Sequence, residues 1–148
     1  MRPRYRTMLK LVVGTVAIAV LAELFFILWL GPEQGSFCYD RVSELGHRLS
    51  HAYTLDELAL YFGQVDPWAH LLEDYQKRFG DLEESHLRQL VTEYGLNVGG
   101  ECEVNRNLAS DLKASGDLST VRVLWCKLPR QNCSYVFYAD RHVNREDR

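Results

Sequence analysis

The chain's 148 residues leave room for one helical anchor and one domain of roughly a hundred residues, and exclude a second globular domain. Apolar residues at 47% and charged residues at 25% are a globular composition. A net charge of -3 carries no polyanion-binding signature, which sets nucleic acid aside as a partner.

Taken in chain order, residues 1–10 form a basic tail carrying Arg2, Arg4, Arg6 and Lys10. Residues 11–30 are apolar apart from Gly14, Thr15 and Glu23, and at about 1.5 Å per residue they match a hydrocarbon core of roughly 30 Å. They predict an uncleaved transmembrane signal anchor with the lipid bilayer as its partner, because the run exceeds a signal-peptide core and no small-x-small cleavage site follows. The basic flank predicts a single-pass inner (plasma) membrane protein with a cytoplasmic N-terminus and a periplasmic or other extracytoplasmic domain. Tyr5 and Trp29 fall at the two interfaces of such a span. Glu23 is costly in hydrocarbon and points to a partner helix or another membrane or envelope protein. Gly31-Pro32 opens a predicted hinge over 31–35, and the extracytoplasmic domain follows at 36–140.

From Ser36, a plausible N-cap, Cys38, Val42, Leu45, Leu49 and Ala52 recur at helical spacing, with Cys38 pointing inward. Thr54 to Glu57 reads as a capping box before a short helix ending at Gly63. Asp66-Pro67 caps and starts another through Trp68, Leu71, Leu72, Tyr75 and Phe79, and Asp81 to Glu84 reads as a second capping box. Residues 97–103 read as glycine-rich loop, and 107–114 as one more short helix. The predicted fold class is therefore α+β: a single N-terminal transmembrane helix, then four to five short helices and a C-terminal disulfide-bonded β-hairpin. The hairpin strands are 121–128 and 133–139, flanking Pro129-Arg130-Gln131-Asn132. Cys126 opposite Cys133 sets Leu124 opposite Tyr135 and Val123 opposite Val136. The tail 141–148 is charged and predicted disordered.

All four cysteines, Cys38, Cys102, Cys126 and Cys133, follow the apolar run and predict two disulfides, favouring Cys126 with Cys133 and Cys38 with Cys102. No Cys-x-x-Cys pair suggests zinc. The stripe Asp40, Glu44, His47 and His51 is the candidate divalent-metal set, outweighed by its reading as a solvated helix face. Glu83 and His86 repeat a Glu-x-x-His spacing without the inward-facing partners of a di-iron bundle. His70 and His142 have no identifiable nucleophile, so no catalytic residue and no cofactor is assigned. Asn132-Cys133-Ser134 fits the glycosylation tripeptide.

An apolar N-terminal helix before a small domain with a disulfide loop superficially resembles a type IV pilin. The pattern departs where it is specific, because Ala19 stands five residues after Gly14 where such proteins carry Glu, and no family is assigned. The expected function is a membrane-anchored protein-binding module: an accessory or assembly subunit of an envelope complex, or an immunity-type inhibitor. Its expected partner-binding residues are Glu23 and the doubly apolar hairpin residues Val121, Val123, Trp125, Val136 and Tyr138. The alternatives are an extracytoplasmic hydrolase using the Asp40/Glu44/His47/His51 stripe and a structural subunit of a membrane-associated assembly.

Overall fold

A computed structural model describes residues 3–92, 102–128 and 133–147 and, within the first helix, the side chains of 12–25 and 37–52. The predicted glycine-rich loop falls mostly, and the predicted turn at 129–132 wholly, outside the described residues. The chain divides by contacts into two compact units, Met1–Gly35 and Ser36–Arg148.

Helix α1 runs from Pro3 to Ala52 without interruption, through the Gly31-Pro32 pair expected to break it. A proline within a helix removes one backbone hydrogen bond and bends the axis without necessarily ending it. Among the described residues no helix is long and apolar enough to cross a membrane. The expected transmembrane signal anchor, the single-pass topology, and the inner-membrane and periplasmic location built on it are corrected accordingly.

In the second unit, α1 lays Cys38, Val42, Leu45 and Leu49 into the core, all at 0% exposure. Helix α2 (Leu55–Phe62) opens on Thr54, whose hydroxyl accepts from the Glu57 N–H while the Glu57 carboxylate accepts from the Thr54 N–H. Helix α3 (Pro67–Phe79) begins with proline at its first position and an Asp66 side chain accepting from the Ala69 N–H. Helix α4 (Asp81–Val91) differs from expectation. Its cap is Gly80 at φ 90°, with no side-chain cap, so Asp81 is the first helical residue. Only glycine takes that left-handed turn cheaply, and it sets α4 back against α3. A short α5 (Leu108–Ala114) and a 3-10 turn (Leu118–Thr120) complete the described helical segments.

The expected hairpin is the centre of a larger sheet. Strands β1 (Glu103–Val104), β2 (Arg122–Leu128), β3 (Cys133–Tyr138) and β4 (Val143–Asp147) form an antiparallel sheet in the order β1-β2-β3-β4. Register corrects the expectation too: Leu128 faces Cys133, Cys126 faces Tyr135, and Leu124 faces Phe137, two residues from the assumed alignment. The residues expected as a disordered tail supply β4, with Val143 opposite Phe137 and Asp147 opposite Cys133. The chain reaches β4 through a tight turn in which Arg141 N–H donates to the Tyr138 carbonyl and Arg141 itself sits at φ 75°.

The α1 face rests on the sheet at its closest point through Gly46. A Cβ there would lie 2.2 Å from the Phe137 ring, so glycine is what allows the helix this near. His47 packs edge-on against the same ring, and Tyr39 against Tyr135. Just before β1 the chain is tied to the helices: the Trp68 indole N–H donates to the Cys102 carbonyl at 3.0 Å and the Cys102 N–H to the Val91 carbonyl at 3.2 Å.

Candidate functional site

Three chemically distinctive places emerge once the fold is built. The first is a thiol cluster. Inward spacing on α1 delivers Cys38, and the β1–β2 register, Glu103 opposite Trp125, brings Cys102 level with Cys126. Sγ of Cys126 lies 3.2 Å from Sγ of Cys38, well beyond a 2.05 Å bond, and no disulfide joins any of the four buried cysteines. The expected disulfides are therefore corrected. The hairpin register places Tyr135, not Cys133, across from Cys126, and Cys38 meets Cys126 instead of Cys102. Hydrogen bonds from Cys102 and Cys38, helped by nearby Arg41, push the Cys126 thiol down, whereas the bond to Cys126 and burial push Cys38 and Cys102 up. Sealed at 3% exposure or less, these thiols are packing atoms with no route for a reagent.

The second is Arg41, which sequence reasoning missed. It is 2% exposed and donates from Nε to the Leu90 carbonyl at 2.5 Å and from Nη2 to the Val91 and Thr92 carbonyls, both at 2.7 Å. These are the carbonyls a helix leaves unpaired at its C-terminal end, so Arg41 caps α4 from α1. Its signal was positional: Arg41 lies between Cys38 and Val42 on the inward arc, where an unpartnered charge would be prohibitive. Between the same two helices a cleft of about 370 Å³ gathers Asp40, Glu44, Arg48, His86 and Gln89. Arg48 is committed there to Glu44 and Glu83, each at 3.0 Å.

The predicted metal stripe does not assemble. Asp40 and Glu44 face the cleft, His47 is turned onto Phe137, and His51 is exposed near the end of α1. Among the described residues no group of three or more His, Cys, Asp or Glu could hold a metal ion. The hairpin residues Val121, Val123, Val136 and Tyr138 are buried at 7% or less. Trp125 is half-buried and donates its indole N–H to Glu103 at 2.6 Å. β3 lies between β2 and β4, while β1 covers the outer edge of β2 at Leu124 and Trp125. Its outer face is crossed by ion pairs of Arg122 with Glu146 and Lys127 with Glu103.

The third place is the first unit of α1. Val12, Val13, Val16, Ile18, Val20, Leu21, Leu24 and Phe25 are 49% to 68% exposed. At about 100° per residue these positions span about two thirds of the helix circumference, more than a single face, and the remaining arc holds Thr15, Ala19 and Ala22. The Thr15 hydroxyl is satisfied by donating to the Val12 carbonyl at 2.9 Å. Glu23 is exposed in the midst of this surface and makes no hydrogen bond or ion pair with another described residue. No family model, curated protein or solved structure matches the chain.

Proposed function

We propose that the protein is a binding module that docks onto another protein through the first unit of α1, with the second unit as a folded body carried on the complex. One observation carries this reading: the eight large apolar side chains of residues 12–25 that stand exposed around the helix. An all-round apolar helix is stable only when enclosed, and leaving it in water forfeits roughly 25 cal/mol for each Å² of apolar surface. The second unit supports a body rather than a reaction centre, since its thiols are buried and, of the cations in its cleft, Arg48 is tied in ion pairs and Arg41 in hydrogen bonds to carbonyls. Most of its large apolar side chains fill its own core, and those left exposed, such as Leu60, Val65 and Leu82, are scattered along its sequence.

The test is purification of the full-length chain from its own cells in mild detergent, with the mass and stoichiometry of whatever accompanies it. The expected result is one protein in fixed ratio, lost when Val16, Leu21 and Phe25 are changed together to Asn. A chain that runs alone at its own mass, with the triple variant behaving identically, overturns the reading.

A further inference from the structure

We infer that the docking partner encloses residues 12–25 in an apolar protein sleeve and presents a cationic side chain, Lys, Arg or protonated His, to Glu23. The inference rests on the binding-module reading and specifies the chemistry of its partner. Two observations fix that chemistry. The large exposed apolar side chains span about two thirds of the helix circumference, with Val12 and Val16 on one side and Leu21 and Phe25 on the other, and the remaining arc carries Ala19 and Ala22, so a partner with one flat face would leave many of them wet. The occupant must surround the helix, as several packed helices or a deep groove do.

The second observation is charge. Glycine and alanine in the stretch bring no polar side-chain atom, and Thr15 is satisfied within its own helix by the Val12 carbonyl. Glu23 has neither a local hydrogen-bond donor nor a basic residue three or four positions away in the sequence: those positions hold Ala19, Val20, Phe26 and Ile27. Enclosing a carboxylate without a partner costs several kcal/mol, so a sleeve that buries its apolar neighbours must answer its charge. A point cation facing Glu23 also fixes the depth and rotation of a helix whose apolar surface would otherwise slide.

The experiment places the photo-crosslinking residue p-benzoylphenylalanine at Leu21 of the full chain in its own cells, in the native background and with Glu23→Leu, Glu23→Gln and Glu23→Asp. The same four proteins are floated with phosphatidylcholine vesicles containing one part in four phosphatidylglycerol. Thermal unfolding of the second unit confirms that each variant is folded, which the distance of Glu23 from that core in sequence favours. The expected result is one crosslinked protein whose yield falls about 30-fold or more in Glu23→Leu and Glu23→Gln, because the partner's cation is left buried and unpaired, with most of the yield kept in Glu23→Asp. A crosslink of unchanged yield in Glu23→Leu overturns the cationic partner while leaving the binding-module reading intact. No crosslinked protein, with flotation that strengthens in Glu23→Leu, overturns both, since removing a charge favours lipid and disfavours a salt-bridged sleeve.

Discussion

Along one helix, residues 38–49 and residues 12–25 are both rich in large apolar side chains, and they meet opposite environments. In the first stretch Cys38, Val42, Leu45 and Leu49 fall on one stripe and vanish into the core, while Asp40, Glu44 and Arg48 stay outside. In the second the apolar side chains surround the axis and remain exposed. Amphipathic spacing lets a chain cover its helix with its own sheet, whereas all-round apolarity exceeds what one small domain can cover and transfers the task to something else.

The largest effect that could break this contrast comes from trimming one leucine in each stretch. Leu45→Ala removes a fully buried side chain from the core and should cost about 2–5 kcal/mol of stability, whereas Leu21→Ala should stay within about 0.5 kcal/mol in the isolated protein. Urea unfolding followed by tryptophan fluorescence in a Trp29→Phe background reports on the second unit, which holds Trp68 and Trp125. A loss at Leu21 comparable with that at Leu45 would mean that residues 12–25 belong to the same cooperative core. Next comes Arg41→Met, which keeps the aliphatic stem and removes the guanidinium from three carbonyls at the end of α4, of which Val91 keeps the Cys102 N–H; the expected loss is about 2–3 kcal/mol. Hydrogen exchange should localise that loss to the last turn of α4.

Gly46→Ala sharpens the comparison from within α1, because alanine is the better helix former and would stabilise the helix at an open position. Gly14, with nothing within 4 Å, is such a position. At Gly46 the new methyl meets the Phe137 ring, and the expected cost is about 1–3 kcal/mol. A Gly46→Ala, Phe137→Leu double variant should cost less than the sum of the two changes, since leucine vacates the overlap. Additive losses would show that the close approach is not what Gly46 secures.

Helix ends were well marked in the sequence because their chemistry is local: Thr54 with Glu57, and Asp66 with Pro67, carry their partners within three residues. The inward stripe of α1 was equally legible, since its period needs no knowledge of what it packs against. The sheet was not. Cys126 opposite Cys133 looked natural from the turn residues, but a shift of two positions keeps every side chain on its face, so alternation alone cannot reject it. β4 was hidden because Asn144, Arg145, Glu146 and Asp147 read as solvated tail; an edge strand over a formed sheet tolerates such residues and is protected by them. The run at 11–30 misled for a related reason. A helix apolar on all sides fits either a membrane span or the interior of an assembly, and hydropathy scores both alike.

A smaller effect separates tolerated strain from required strain. Gly80 and Arg141 both hold positive φ, 90° and 75°, but only one is glycine. The Arg141 side chain reaches the Ser50 carbonyl at 3.4 Å, an exposed and long contact that returns little. Arg141→Gly should therefore stabilise by about 0.5–1 kcal/mol, read as a rise in melting temperature. Gly80→Ala should do the reverse. A loss in Arg141→Gly would assign real weight to the tie between the β3–β4 turn and α1.

The smallest expected effect concerns alkaline stability and tests whether β4 belongs to the folded body or frays from it. Burial first, and then the hydrogen bond its hydroxyl donates to Glu146 on β4, push Tyr138 up to about 12. The unfolded phenol titrates near 10, so the folded state holds this proton more tightly. Its contribution is fully present below about pH 10 and is lost as pH rises toward about 12, because the unfolded chain releases the proton first. Stability measured by thermal melts from pH 8.5 to 11.5 should fall on the alkaline side, and Tyr138→Phe should flatten that fall while changing little at pH 7. Glu146→Gln should flatten it in part, leaving the component due to burial. An alkaline limb unaltered in both variants would mean that β4 separates from β3 before Tyr138 ionises.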